Sequence, residues 1–130
     1  MAITCQDIAI VADGLLAFGG EPADRSAVSR HFYAAFHRSV QWKDALPGMA
    51  GSGGYAGGTH QQLLNQLRAP DSQCTTAQKL RSKFTAAKLE ILKFRRVVAD
   101  YQLTAQMLAS EVQMQKTQAA SLMTELDANP

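Results

Sequence analysis

Apolar side chains recur along the chain at intervals of three and four, the spacing of helices that bury one side, and no segment alternates convincingly as a strand would. A first helix is predicted from Thr4, where Asp7 completes a reciprocal cap, to about Phe18, with Ile8, Val11, Leu15 and Phe18 on one stripe. "GGEP", Gly19 to Pro22, ends it and supplies a proline suited to the next first turn. The second helix should reach about Lys43, with Val28, Phe32, Ala35, Ser39 and Trp42 as a core stripe. On its opposite side Ser26, Arg30, Tyr33, His37 and Val40 repeat the same spacing, so this helix is expected to be occupied on two sides, as a central or dimer-forming helix is. The glycine-rich stretch at about 47–58 reads as a mobile loop.

Order resumes at Thr59, read as an N-cap with Gln62 three residues on, in a short helix carrying Leu63, Leu64 and Leu67. A fourth helix from about Thr76 places Leu80, Phe84, Ala87, Ile91, Phe94 and Val98 on one side, which predicts its core face. The last, from about Thr104 to Asp127, offers Leu108, Val112, Ala119, Leu122 and Leu126. The pattern is that of an all-α protein, an antiparallel bundle of four to five helices.

At 130 residues and 46% hydrophobic content, one core and one domain over 1–130 are expected, without a disulfide or metal to hold them. Cys5 and Cys74 stand apart from each other and from any ligand-spaced histidine or acid, so they read as free thiols in a reducing compartment. No apolar run approaches the about 20 residues of a membrane span, and the opening residues lack a basic start and carry Asp7, unlike a secretory signal. A soluble, cytoplasmic protein is expected.

The net charge of +2 hides an uneven distribution. Lys79, Arg81, Lys83, Lys88, Lys93, Arg95 and Arg96 crowd the fourth helix, which reads either as the solvated shoulders of a packed helix or as a phosphate-binding surface. The glycine loop follows no strand and precedes no Gly-Lys-Ser/Thr, so it does not cradle phosphate; no cofactor motif and no catalytic triad is spaced for chemistry.

Candidate chemistry is concentrated in "SRHFYAAFHRS", Ser29 to Ser39. Arg30 and His37 lie seven residues apart, about 10.5 Å along a helix, with Tyr33 between them, so both can reach one phosphate group. Two readings stay open: a cluster that binds a ligand, or polar groups satisfied within a second buried face. His31 falls on a third side and is expected to be exposed, and His60 is expected at the surface.

"AVSRHFYAAFHRS" resembles the R-x-Y-Y-A-x-F-H helix of HEPN-domain proteins, and "KFRRVVADYQL", Lys93 to Leu103, is similar to the L-R-x-x-A-D-Y junction of one branch of that superfamily. "GGTHQQLLNQL" falls where that branch carries a T-H helix start. The resemblance implies a HEPN-like helical bundle, commonly a homodimer, in a superfamily of RNA-cleaving toxins, antiviral effectors and inactive relatives, often with a nucleotidyltransferase-like protein partner. It also implies a cleft formed by Arg30, Tyr33, His37, Arg96, Asp100 and Tyr101. Active members carry an arginine followed four to six residues later by a histidine near the last helix, where two copies meet to cleave RNA without metal. Here Arg96 is followed by Asp100 and Tyr101, and no histidine occurs after His60. The expectation is a nucleic-acid-associated component of a toxin-antitoxin or defence system that lacks the usual RNase histidine. The alternative is a non-catalytic module for dimerisation or partner docking.

Overall fold

The computed structural model describes residues 2–51 and 58–129. Among them are five helices and no strand: α1 (Cys5–Phe18), α2 (Glu21–Asp44), α3 (Thr59–Arg68), α4 (Thr76–Tyr101) and α5 (Ala109–Ala128). Local chemistry sets most of the boundaries. Thr4 and Asp7 cap α1 reciprocally, and Thr75 and Gln78 do the same for α4. Gly19 and Gly20 take φ of +87° and +90°, a left-handed pair that turns the chain at once into α2. Thr59 lies inside α3 and Gly58 occupies the cap, one residue earlier than expected.

The second helix is the hub, in contact with each of the others. It runs antiparallel to α4, since Arg25 meets Gln102 and Ser29 meets Asp100, and in the same sense as α5, since Gln115 meets Val28 and Trp42 meets Asn129. Its expected stripe, Val28, Phe32, Ala35, Ser39 and Trp42, is buried throughout. Leu63, Leu64 and Leu67 of α3, Leu89 and Leu92 of α4, and Leu122 and Leu126 of α5 complete the core. Gln115 lies within it, donating from Nε2 to the carbonyls of Val28 (3.2 Å) and Leu92 (3.0 Å) and so tying three helices together. Both cysteines are free and buried.

The fourth helix is rotated from its expected register. Leu80, Phe84, Ile91 and Phe94 are 53%, 53%, 51% and 70% exposed, and Ala87 is exposed with them, whereas Ser82, Thr85, Ala86, Leu89, Leu92 and Ala99 face the bundle. Small residues win the inner side because they let α4 approach its neighbours, and Ser82 becomes tolerable there by donating to the carbonyl of Leu67 at 2.6 Å. The first helix departs likewise: Val11 and Phe18 are exposed, and Cys5 and Ala12 are the buried positions.

The second occupied side of α2 is not the row from Ser26 to Val40, in which Ser26, Arg30 and His37 are exposed and Tyr33 and Val40 half-buried. It is the face carrying Ala27, His31 and Ala34, all buried, where α1 docks. His31 is therefore not exposed; its Nε2 lies 3.5 Å from Asp13 Oδ1 on α1. The last helix begins at Ala109 rather than Thr104, because residues 102–108 form a turn held by Arg25. Residues 52–57, the middle of the predicted glycine loop, lie outside the described residues. Its start is packed: Leu46 and Met49 are buried, and buried Lys43 donates to the carbonyls of Met49 and Gly51.

Candidate functional site

Where α4 crosses α2, Tyr33 stands at the centre of a polar and aromatic cluster. Arg30 lies one turn before it and His37 one turn after, so helical spacing alone puts the three on one edge of α2. The Arg30 guanidinium carbon is 4.8 Å from the Tyr33 ring centroid and that of Arg96 is 5.4 Å away. The same Arg96 group lies 5.2 Å from the ring of Tyr101, to whose hydroxyl Nη2 donates at 3.3 Å. The His37 ring centroid is 6.2 Å from that of Tyr33. All six residues singled out in the sequence thus fall in one place.

Asp100 fixes the arrangement. Its Oδ2 sits 2.8 Å from Arg96 Nε, an ion pair without hydrogen-bond geometry, and accepts from Ser29 Oγ at 3.1 Å. Burial works against the Arg96 cation, but Tyr33, Asp100 and Tyr101 outweigh it and push its pKa up. Arg96 is thereby a permanent, oriented charge, while Arg30 and His37 reach solvent. The open groove of about 450 Å³ beside the cluster touches it only at Asp100 and is walled by Glu21 and Arg25.

His60 also belongs to this cluster and is not a free surface residue. Its ring packs edge-on against Phe36, Phe32 and Tyr33, at 4.8, 5.1 and 5.5 Å between centroids. The signal for this was its spacing from Leu63, Leu64 and Leu67, which share the inward side of α3. Burial lowers its pKa from the ordinary 6.5, and Arg96, Lys93 and His37 lower it further. The arginine-then-histidine order of the nucleases is absent from α4, and two imidazoles arrive instead from α2 and α3.

The basic residues of α4 divide. Arg81 and Lys88 hold the two carboxylate oxygens of Glu125 and depress its pKa, and Arg95 donates to Gln115 and Gln118, so this edge is committed to α5. Lys93, its Nζ 3.4 Å from Gln61 Oε1, lies on the side of His60. Among the described residues no group of three or more His, Cys, Asp or Glu converges as a metal site would, and no helix is long and apolar enough to cross a membrane.

Burial also lowers the pKa of His31, outweighing the attraction of Asp13. Both His31 and His60 are uncharged in the fold at neutral pH and take up protons near the ordinary 6.5 when unfolded. The unfolded chain then binds more protons as acidity rises, so this contribution is complete above the ordinary value and lost as pH drops through the depressed folded values. Urea midpoints should fall between about pH 8 and about pH 5.5, and His31→Gln should flatten the dependence. Equal midpoints across that range would rule out neutral buried imidazoles.

No protein-family model, curated protein or solved structure matches the chain.

Proposed function

We propose that this chain is a HEPN-like, nucleic-acid-associated component of a toxin-antitoxin or defence system, binding a single RNA strand along the edge of α2 that faces α4. The observation that carries this reading is the Arg96 guanidinium packed against the rings of Tyr33 and Tyr101, with Arg30 on the same Tyr33 ring. Strand binding needs cations that follow phosphates and ring faces that accept bases, and this edge supplies both within about two turns of each helix. Arg30, Lys93 and Arg96 outnumber the single carboxylate, Asp100, which is taken up by Arg96 and Ser29 and so positions the cation rather than meeting the strand. Arg30 and His37 are the groups free to touch phosphate, and Tyr101, 67% exposed, is the ring open to a base, while Tyr33 seats the two guanidiniums. The likeness to HEPN proteins rests on the motifs around these same residues and carries with it the proposal of a nucleotidyltransferase-like partner, while a cytoplasmic location is proposed from the free thiols of Cys5 and Cys74.

Fluorescence anisotropy with a labelled single-stranded RNA at two salt concentrations tests the reading. Arg30→Ala should weaken binding about 5- to 20-fold and reduce the slope of log K against log salt by about 0.7, with an unchanged melting temperature. Tyr101→Leu should weaken it at least as much, about 1–3 kcal/mol for a lost stacking contact. Binding that ignores both substitutions, or shows no salt dependence, would rule the edge out.

A further inference from the structure

The row Leu80, Phe84, Ala87, Ile91 and Phe94 takes no part in the core or the cleft, yet it keeps helical order over four turns of α4. At about 100° per residue it is centred on the side opposite Leu89 and Arg96. Single exposed apolar residues are ordinary, but a continuous row of this length marks an interaction surface. We propose that it is the interface of a two-fold homodimer in which α4 of one copy packs antiparallel on α4 of the other.

Three features of the row select a second copy. It is nearly symmetric about Ala87, with large residues at −7, −3, +4 and +7, and a small residue at the centre lets two helix backbones approach at a two-fold axis. A surface cavity of about 470 Å³ lies beside its C-terminal half, between Ala87, Ile91, Phe94 and Glu111, while the N-terminal half presents Phe84 and Leu80 as protruding side chains to fill it. On the edge facing α3 the charge changes sign along the helix: Lys79 and Lys83 flank the first half, and Glu90, which also pairs with Arg68 at 2.6 Å, flanks the second. Antiparallel pairing sets Lys83 of one copy beside Glu90 of the other, and parallel pairing sets like against like. On the remaining edge Arg81 and Lys88 are already balanced by Glu125.

Four large side chains, each half or more exposed, remove roughly 400 Å² per copy from water, about half of what a stable interface buries on each partner. The aliphatic stems of the flanking lysines and the rims of α3 and α5 supply the rest. This pairing keeps the two clefts on the far sides of the paired helices, unlike the arrangement the HEPN resemblance implies, in which two copies meet at the site. It does not rest on nucleic-acid binding.

Sedimentation velocity over about 1–100 μM decides it. The wild-type chain should sediment as a dimer, and Ile91→Asp and Phe84→Asp should each raise the dissociation constant at least about 100-fold with helicity unchanged. Lys83→Glu should weaken the dimer, and adding Glu90→Lys should restore it, which only antiparallel pairing allows. A wild-type monomer at about 100 μM overturns the proposal and leaves the face to a partner of different sequence. A dimer indifferent to both aspartate variants overturns it equally. RNA anisotropy on the monomeric variants should match the wild type per chain.

Discussion

Leu89→Ala should cost about 2–5 kcal/mol in chemical denaturation, while Phe84→Ala, five residues earlier on the same helix and with a larger side chain, should cost less than about 1 kcal/mol. Leu89 is 1% exposed and packed into the main core, so truncation removes its burial and leaves a cavity. Phe84 already has about half its surface in water, so the fold loses little when it is shortened. The contrast must be measured at a concentration low enough for the chain to be monomeric, because Phe84 is central to the proposed self-contact. Above the dimer dissociation constant, Phe84→Ala should gain an apparent cost that grows with concentration, and Leu89→Ala should show the same deficit at both. Equal losses for the two variants in the dilute monomer would mean that α4 faces the core with its apolar row after all.

The reversed register shows where hydrophobic spacing stops being a guide. On α2 the most apolar stripe is also the buried one, and there the reading from Val28 to Trp42 holds residue by residue. On α4 two faces compete, and the more apolar loses. The inner face sets Leu89 and Leu92 among Ser82, Thr85, Ala86 and Ala99, small groups whose advantage is close approach and of which Ser82 donates its hydroxyl to the carbonyl of Leu67. Neither property registers in a count of apolar positions, since it depends on what stands opposite. His31 is concealed for a similar reason: polar and lone on its side of α2, it is buried because α1 lies over it. By contrast the helices and the cap of α1 are legible because they are local, as Thr4 with Asp7 shows, although the cap of α3 falls on Gly58 rather than Thr59. The α2 side of the cleft was legible from spacing, which puts Arg30, Tyr33 and His37 on one edge, whereas Arg96, Asp100 and Tyr101 stood out only through the HEPN resemblance. That the two edges face each other across Tyr33, with His60 inserted from α3, is a property of the packing.

Arg25→Ala should destabilise the protein by about 2–4 kcal/mol, a penalty that nothing in the charge pattern of α2 announces. The guanidinium, its side chain 11% exposed, closes the C-terminal end of α4 from the neighbouring helix. Nη1 donates to the carbonyls of Val98 (3.2 Å), Ala99 (3.1 Å) and Gln102 (3.2 Å), and Nη2 to that of Ala105. The carbonyl of Val98 also accepts from the N–H of Gln102 and that of Gln102 from the N–H of Ala105, so the guanidinium matters most to the carbonyls of Ala99 in the last turn of α4 and of Ala105 beyond it, and a cation there also opposes the negative end of the helix dipole. Glu21 completes the clamp: its Oε1 accepts from Arg25 Nε and Nη2 and from the backbone N–H of Met107, so the turn from 102 to 108 is held at both ends. Truncation takes the charged donor from the carbonyls of Ala99 and Ala105 together and leaves Glu21 without its cation, which is why the loss exceeds that of an ordinary surface ion pair. Arg25→Lys should recover only part of the stability, because one ammonium cannot span carbonyls that a planar fork reaches together. Hydrogen exchange should locate the effect, with protection falling over 102–108 and the last turn of α4 while α1 and α3 keep theirs. Asp100 and Tyr101 sit in that last turn, so RNA affinity should fall with it although Arg25 meets no strand. A loss below about 1 kcal/mol, or unchanged exchange over 102–108, would show that the turn is held by packing of Met107 rather than by the guanidinium.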